Sequence, residues 1–258
     1  MSDQLGLFED TFTTFNRISE SLRHAYQDLR DRVEEVGNLE QLAAIGEMAA
    51  GIAHEIRNPL NAIEGFAGLM LRRLAASDPK SAEHARKILD AVRDANAIIT
   101  DLLDFARPTD LAVDPVDLGA LVGDVLRSET SEGVKTTLTL EGDPVLRGDA
   151  RRIRQAVRNL VRNADQALGG QGELEVTIVR SAREATLRFE DDGPGLPEAV
   201  RERLFHPFVT TKPDGTGLGL AMVHKIAIQH GGRVTYRAGE RGACFELTLR
   251  EREDDHAH

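Results

Sequence analysis

Apolar residues at Phe15, Ile18, Leu22, Ala25, Leu29, Val36 and Leu39 recur at steps of three and four, with Arg, Glu, Asp and Gln between them and Arg32 alone breaking the series. A repeat of this kind predicts a helix that pairs in a coiled coil. The alternative is one amphipathic helix lying on its own domain. The phase then slips, because Val36 and Leu39 are followed by Leu42, Ile45, Ala49, Ile52 and Ile56. Successive steps of three form a stammer, and Gly37-Asn38 sits beside it. Either a strained hinge or a plain break between two helices is expected there. The helical pattern continues to Leu74, turns at Ala75–Lys80, and resumes with Ile88, Val92, Ala95, Ile99, Leu102 and Ala106, ending before Pro108. Two helices on a short loop form an antiparallel hairpin. One hairpin buries its apolar stripes poorly and two make a four-helix bundle, so a homodimer is expected.

Beyond residue 113 the pattern changes. Leu118, Leu121, Val122 and Val125 predict a short helix; Thr136–Leu140 alternates as a strand, and Pro144–Leu146 reads as another. Asp149 is placed to cap a helix over Ala150–Leu168 that ends at Gly169-Gly170. Strands follow at Glu173–Arg180 and Thr186–Glu190, then a helix at Ala221–His230 closed by Gly231-Gly232, and a late strand at Ala243–Arg250. The expected fold class is α + α/β. The segments are a helical lead-in (1–40), a helical hairpin domain (41–107), an α/β domain (113–250) and a charged, frayed tail (251–258).

Composition narrows the classes. A length of 258 residues suits two domains. The hydrophobic share of 41% supports packed cores, while 4% aromatics and no Trp fit helices better than an aromatic-rich sandwich. A net charge of −11 argues against direct binding of nucleic acid through the overall field. The single cysteine, Cys244, excludes an internal disulfide and a cysteine zinc site, and is expected to lie buried and inert in the late strand. No apolar run approaches the ~20 residues of a membrane span, and Met1–Gln4 lacks the features of a signal peptide. A soluble, cytoplasmic protein is expected.

The candidate chemistry begins at Ala49–Leu60. With Leu42, Ala49 and Ile56 at heptad position a and Ile45 and Ile52 at d, His54 falls at f, the outermost position. Glu55 can take the ring proton or fix the tautomer, leaving the other nitrogen a better nucleophile. Asn58 lies one turn on along the same face, and Pro59 removes a helical hydrogen bond and is expected to bend the helix. On the helix over 150–168, Gln155, Asn159 and Asn163 lie four apart and form an amide stripe, whose oxygens suit Mg²⁺; a plain exposed polar face is the alternative. The strand at 186–190 leads into Asp191-Asp192-Gly193-Pro194-Gly195, where a carboxylate at a strand end can accept a bond from a base amine. Leu204-Phe205-His206-Pro207-Phe208 and Thr210-Thr211-Lys212 precede Gly215-Thr216-Gly217-Leu218-Gly219-Leu220, glycines at a helix start that suit phosphate. No Walker lysine follows, and a long loop rather than a strand precedes this run, so neither a P-loop nor a Rossmann motif is present. His24, His84, His224 and His230 read as surface or helix-end residues, and His206 as packing within the Phe pair. No His pair has metal-ligand spacing.

His54-Glu55-Ile56-Arg57-Asn58-Pro59-Leu60 resembles the phosphoacceptor box of the two-component sensor histidine kinases. The ordered set downstream resembles the N, G1, F and G2 boxes of their Bergerat-type ATP domain, an α/β sandwich shared with type II topoisomerases, mismatch-repair ATPases and certain chaperones. The resemblance covers roughly residues 40–250. It implies that His54 is phosphorylated from ATP, that Glu55 assists, and that Asn58 positions water when the protein dephosphorylates its partner, a response regulator. It implies Asn163 as the Mg²⁺ ligand, Asn159 beside the nucleotide, Asp191 on the adenine amine with Gly193 and Gly195 close to the base, and Gly215, Gly217 and Gly219 at the phosphates. Thr211, Lys212, Thr216 and Leu218 join this nucleotide-contacting set, and Val209–Asp214 is the expected lid. Many family members carry a lysine where this chain has Gln166, so the cation for the γ-phosphate must come from Lys212, Arg162 or Arg158, with Lys212 preferred because it sits on the lid. The surroundings of His54 and the Thr210-Thr211-Lys212 run most resemble the nitrogen- and flagellar-type soluble sensor kinases, which commonly work with enhancer-binding transcription activators. Two other readings remain: a related ATPase that drives a conformational cycle, and a nucleotide-bound dimeric adaptor without kinase activity.

Overall fold

The structure, a computed structural model, describes residues 39–74, 78–106, 111–212, 215–239 and 242–251, with the backbone alone for 39–56, 94, 98, 101 and 106. The heptad series and the Gly37-Asn38 slip, the turn at 75–77, Pro213-Asp214 of the expected lid and the tail from 252 lie outside the described residues. The chain divides into two compact units, one up to Pro108 and one from Thr109.

The first unit is a helical hairpin. Helix α1 (Leu39–Leu74) runs through Pro59 without ending there, and α2 (Pro79–Ala106) packs against it. Asp78 starts α2 by accepting bonds from Ser81 N (3.2 Å) and Oγ (2.6 Å), which is the duty of an N-cap. Leu60, Val92 and Ile99 form the core, with Ile63, Ile88, Ala95 and Leu103 around them. Of the stripe read from the sequence of the second helix, Val92 and Ile99 are buried and Ile88, Ala95 and Leu102 are half-buried. Arg57 Nη2 donates to Thr100 Oγ1 at 3.4 Å across the pair. Phe66 and Leu69 remain 61% and 40% exposed on α1.

The second unit is a layer of helices on a sheet. Its elements are β1 (Asp114–Asp117), α3 (Leu118–Glu129), β2 (Val134–Glu141), β3 (Val145–Gly148), α4 (Ala150–Leu168), β4 (Gly172–Arg180), β5 (Glu184–Asp191), α5 (Glu198–Arg201), α6 (Gly219–Gln229), β6 (Arg233–Ala238) and β7 (Ala243–Arg250). β1 and β3 form an antiparallel pair, and the remaining strands form one sheet in the order β2-β4-β5-β7-β6. Only the β2–β4 pairing of that sheet is parallel. Its register aligns Val176, Phe189, Phe245 and Tyr236 in one row and Ile178, Leu187, Leu247 and Val234 in the next. These rows face α4 and α6, whose Ile153, Val157, Leu160, Val161, Val223, Ile226 and Ala227 are buried. The opposite face carries Arg188, paired with Glu190 at 2.7 Å, and Arg237, paired with Glu246. Exposed pairs of this kind add little stability.

The ends of α4 are fixed tightly. Asp149 Oδ1 accepts from Arg151 N (3.0 Å) and Arg152 N (3.1 Å), and its Oδ2 accepts from Ala112 N (3.2 Å). Gly169 closes the helix at φ 61°, a left-handed position that favours glycine. Asp149 N in turn donates to His230 Nε2 at 3.1 Å, while His230 Nδ1 lies 2.9 Å from Ile226 O. That arrangement puts the ring proton on Nδ1. His230 is wholly buried, so it stands at a helix end but not at the surface: its ring joins the C-terminal end of α6 to the cap of α4.

Several expectations change. β1, α5 and β6 had no counterpart in the sequence pattern. Glu251, assigned to a frayed tail, is anchored, since its N donates to Arg183 O and its carboxylate pairs with Arg180 at 3.0 Å. Cys244 is buried as expected, yet it accepts a bond from Arg188 Nε at 3.3 Å. No helix among the described residues is long and apolar enough to cross a membrane.

The cap network makes a direct prediction. Asp149→Ala should lower unfolding free energy by about 1–2 kcal/mol. His230→Leu, which strands the Asp149 N–H in a buried place, should cost about 1–3 kcal/mol. Chemical denaturation measures both, and an unshifted midpoint for either variant would contradict the network.

Candidate nucleotide-binding site

α4 has two faces because its apolar positions recur at helical spacing. With one face locked on the sheet, the half-buried Asn159 and Asn163 are held on the other. The stripe does not act as one surface. Gln155 Oε1 accepts from Arg152 Nη1 at 3.1 Å, within its own helix. Asn159 Nδ2 donates to Gly219 O at 3.2 Å and so reaches the first residue of α6. Asn163 Oδ1 faces Lys212 Nζ at 3.4 Å, and Gln166 Oε1 faces the same ammonium at 2.5 Å. Two neutral amide oxygens thus hold one cation, and this donor set suits a hard ion such as Mg²⁺.

Asp191 closes β5 on the helix-facing side and is 4% exposed. Its Oδ1 accepts from Gly193 N (3.0 Å) and Ala243 N (3.3 Å). Burial raises its pKa above the ordinary carboxylate value; the two backbone N–H groups oppose that, and Asp192 and Glu190 add to it. Asp192 turns the other way and accepts from Glu173 N at 2.8 Å. The loop after Asp191 is clamped from two sides. Leu196 N donates to Tyr236 Oη at 3.3 Å, and Arg201 donates to Leu196 O at 3.0 and 3.1 Å. Gly242 must be small as well, because a Cβ there would fall 2.3 Å from Asp191 O.

The Phe pair and the glycine run meet at one point. Phe208 N donates to Gly217 O at 3.0 Å. Phe208 has φ 64° and Gly217 φ 66°, both left-handed. For Phe such a backbone is strained, and a Cβ on Gly217 would sit 2.4 Å from Phe208 C. This contact pins the two ends of the loop that carries Thr210, Thr211 and Lys212. Thr216 Oγ1 accepts from Leu218 N at 3.2 Å, and Leu218 is buried at the head of α6.

The second unit therefore brings together Asn159 with Gly219, Asn163 with Lys212, and Asp191 with Gly193. Thr211 is exposed, and Gly195 sits at φ 69° near Tyr236 Oη and Gly242. Arg162 lies 3.9 Å from Glu129 and Arg158 is exposed, so of the proposed cations Lys212 is the one recorded on the stripe. His54 and Glu55 lie on α1 of the first unit, one turn before the exposed Asn58. His206 is exposed and does not pack within the Phe pair; Phe205 stacks instead on His224, at 5.9 Å between ring centroids. His224 is half-buried, and burial together with His206 lowers its pKa. Ala243, Gly242 and Tyr236 were not singled out as site residues, since their roles depend on strand pairing, and Gln166, noted only for the missing lysine, was not foreseen as an acceptor for Lys212. A separate cavity of about 440 Å³ lies along β6, lined by Arg201, Phe205 and Val234–Ala238, and includes none of the stripe, the Asp191 loop or the glycine run. Among the described residues no cluster of three His, Cys, Asp or Glu side chains is arranged for a metal ion.

Comparison with known proteins follows the same division. Residues 44–110 match the His Kinase A (phospho-acceptor) domain. Residues 148–253 match the histidine kinase-, DNA gyrase B-, and HSP90-like ATPase family. The sequence is 35% identical over 222 residues to the sensor histidine kinase ZraS of Escherichia coli (strain K12), covering 84% of this chain and 48% of that protein. It is 35% identical over 236 residues to the signal transduction histidine-protein kinase AtoS of the same strain, covering 87% and 38%. The chain thus spans about half the length, or less, of these relatives. Among solved structures, full-length ShkA in complex with AMPPNP superposes with TM-score 0.68 at 27% identity, over 79% of this chain and 45% of that one. Histidine kinase ThkA in complex with the response regulator protein TrrA gives TM-score 0.60 at 27% identity, over 83% and 64%. With a phospho-acceptor hairpin followed by an ATPase-type sheet-and-helix unit, the chain belongs to the two-component sensor histidine kinases.

Proposed function

We propose that this protein is an ATP-dependent histidine kinase that phosphorylates His54 and passes the phosphoryl group to an aspartate of a response regulator. The observation that carries the reading is that Asn159 reaches Gly219 at the head of α6 and Asn163, one turn on along α4, reaches Lys212 of the adjoining loop. The matched families and the relatives' names support it. The similarity to ThkA bound to TrrA supports a response regulator as partner, and resemblance to the nitrogen-type kinases favours one that is an enhancer-binding activator.

In this reading Asp191 accepts a bond from the adenine amine, and Gly193, Gly195 and Gly242 leave room for the base. The head of α6 offers backbone N–H groups to the phosphates. Asn163, with Asn159 one turn away, would hold Mg²⁺, which would neutralise phosphate charge. Lys212 supplies the second cation. In the transfer, a ring nitrogen of His54 bonds to the γ-phosphorus and the bond from that phosphorus to the bridging oxygen breaks, leaving ADP. Such a reaction needs in-line placement and charge neutralisation more than covalent help. Glu55 receives the other ring N–H, fixes the tautomer and takes up the proton. Asn58 orients water for the reverse duty, removal of phosphate from the regulator. The exposed Phe66 and Leu69 on the hairpin fit a homodimer in which two hairpins share a core.

Labelled γ-phosphate should appear on the protein in a form lost in acid and kept in alkali. His54→Gln should remove it entirely, and persistence of that label would sink the assignment. Steady release of free phosphate without labelled protein would favour the ATPase reading. Asn58→Ala should slow dephosphorylation of the regulator by about tenfold or more, well beyond any effect on labelling; equal losses in both would remove its special role.

Asp191 tests the adenine contact and carries a stability sign. A carboxyl whose folded pKa is raised keeps its proton more tightly in the folded chain. Its contribution therefore falls as pH rises upward from the ordinary value of 3.8, and at neutral pH the buried charge is a cost. Asp191→Asn should weaken nucleotide binding about tenfold to a hundredfold. It should leave the nucleotide-free thermal midpoint unchanged or raised. A lowered midpoint with intact binding would reverse both halves.

A further inference from the structure

The Lys212 ammonium rests on Asn163 Oδ1 and Gln166 Oε1 of α4. Asn163 Oδ1 is the oxygen that the nucleotide reading assigns to Mg²⁺. An ammonium and a divalent ion a few ångströms apart repel strongly in a partly desolvated place, so one oxygen does not serve both. Neither amide offers the lysine an opposite charge. The Lys212 side chain is half-buried there, and among the described residues only these two amide oxygens accept from its ammonium. The loop itself is anchored at its base by Phe208 and Gly217, and its own turn is set by Thr210 Oγ1, which accepts from Lys212 N at 3.1 Å. The side chain thus has a defined origin from which to swing.

We infer that Lys212 is a resident cation of the metal site: it leaves Asn163 when Mg²⁺·ATP binds and is received by the γ-phosphate. The inference rests on the nucleotide reading above and adds to it a competition and a selectivity. ADP has no γ-phosphate to receive the ammonium, so with ADP the lysine continues to compete with the metal. ATP is then distinguished from ADP by the lid and not by α4, where position 166 is a neutral amide.

Titration calorimetry on the full chain tests this with ADP and with the β,γ-imido analogue of ATP, each over a series of Mg²⁺ concentrations. The unaltered protein should prefer the ATP analogue. Lys212→Met should cut that preference by about tenfold and should lower, severalfold, the Mg²⁺ concentration giving half-maximal ADP binding. Gln166→Ala, at an exposed position, removes one acceptor but keeps the ammonium. It should also lower the Mg²⁺ requirement with ADP while preserving the preference for the ATP analogue. A Mg²⁺ requirement that is unchanged or raised in Lys212→Met overturns the competition. An unaltered preference in that variant overturns the selectivity. Absence of any nucleotide binding by the unaltered chain overturns the nucleotide reading itself, and this proposal with it.

Discussion

The packing of one face of α4 on the sheet is the constraint from which the site follows. Ile153, Val157, Leu160 and Val161 are buried against the rows of Val176, Ile178, Leu187 and Phe189. A one-residue slip would turn the helix by about 100° and carry Asn159 and Asn163 off the side they share with α6 and the loop. The ends prevent that slip: Asp149 fixes the first turn and Gly169 the last. His230 then ties α6 to the same cap, which sets the height at which Gly219 meets Asn159. Stability and site geometry thus come from the same few contacts.

Around that rigid frame the site retains groups that folding alone would not favour. Asp191 is a buried carboxylate with its pKa raised, satisfied on one oxygen by two backbone N–H groups. Phe208 holds a left-handed backbone that a phenylalanine resists. Lys212 keeps a half-buried charge on neutral amides. Each is a local cost maintained by surrounding packing, as expected where geometry serves a ligand. The hairpin likewise leaves the large apolar side chains of Phe66 and Leu69 exposed.

The regular parts of this design were legible in the sequence because they depend on local chemistry. The period of 3.6, the Asp149 cap and the Gly169 stop placed α4 at its observed limits, alternation pointed to β2, and β4, β5 and β7 were read within two residues of their bounds. The strands it missed lacked such signals: β1 is four residues containing Pro115, and β6 mixes Arg, Thr and Tyr. Their existence depends on partners distant in the chain. The same limit applies to the site. The Asp191 loop and the glycine run announced themselves as glycine spacing. That Ala243 N completes the Asp191 shell, that Tyr236 holds Leu196, and that Gln166 receives Lys212 are facts of tertiary pairing. His230 was read as a surface or helix-end residue; it does end α6, but its buried ring joins that end to the cap of α4, again a fact of tertiary pairing.

The central claim is that α4, the Asp191 loop and the Thr211–Gly219 segment form one nucleotide site. Amide hydrogen exchange followed by mass spectrometry on the full chain, with and without Mg²⁺ and the β,γ-imido analogue of ATP, tests it most directly. The account predicts new protection in peptides covering 155–166, 191–197 and 209–219, with little change along β6. Protection confined instead to the β6 cavity, at Arg201–Phe205 and Val234–Ala238, would contradict it, as would no protection anywhere at saturating analogue.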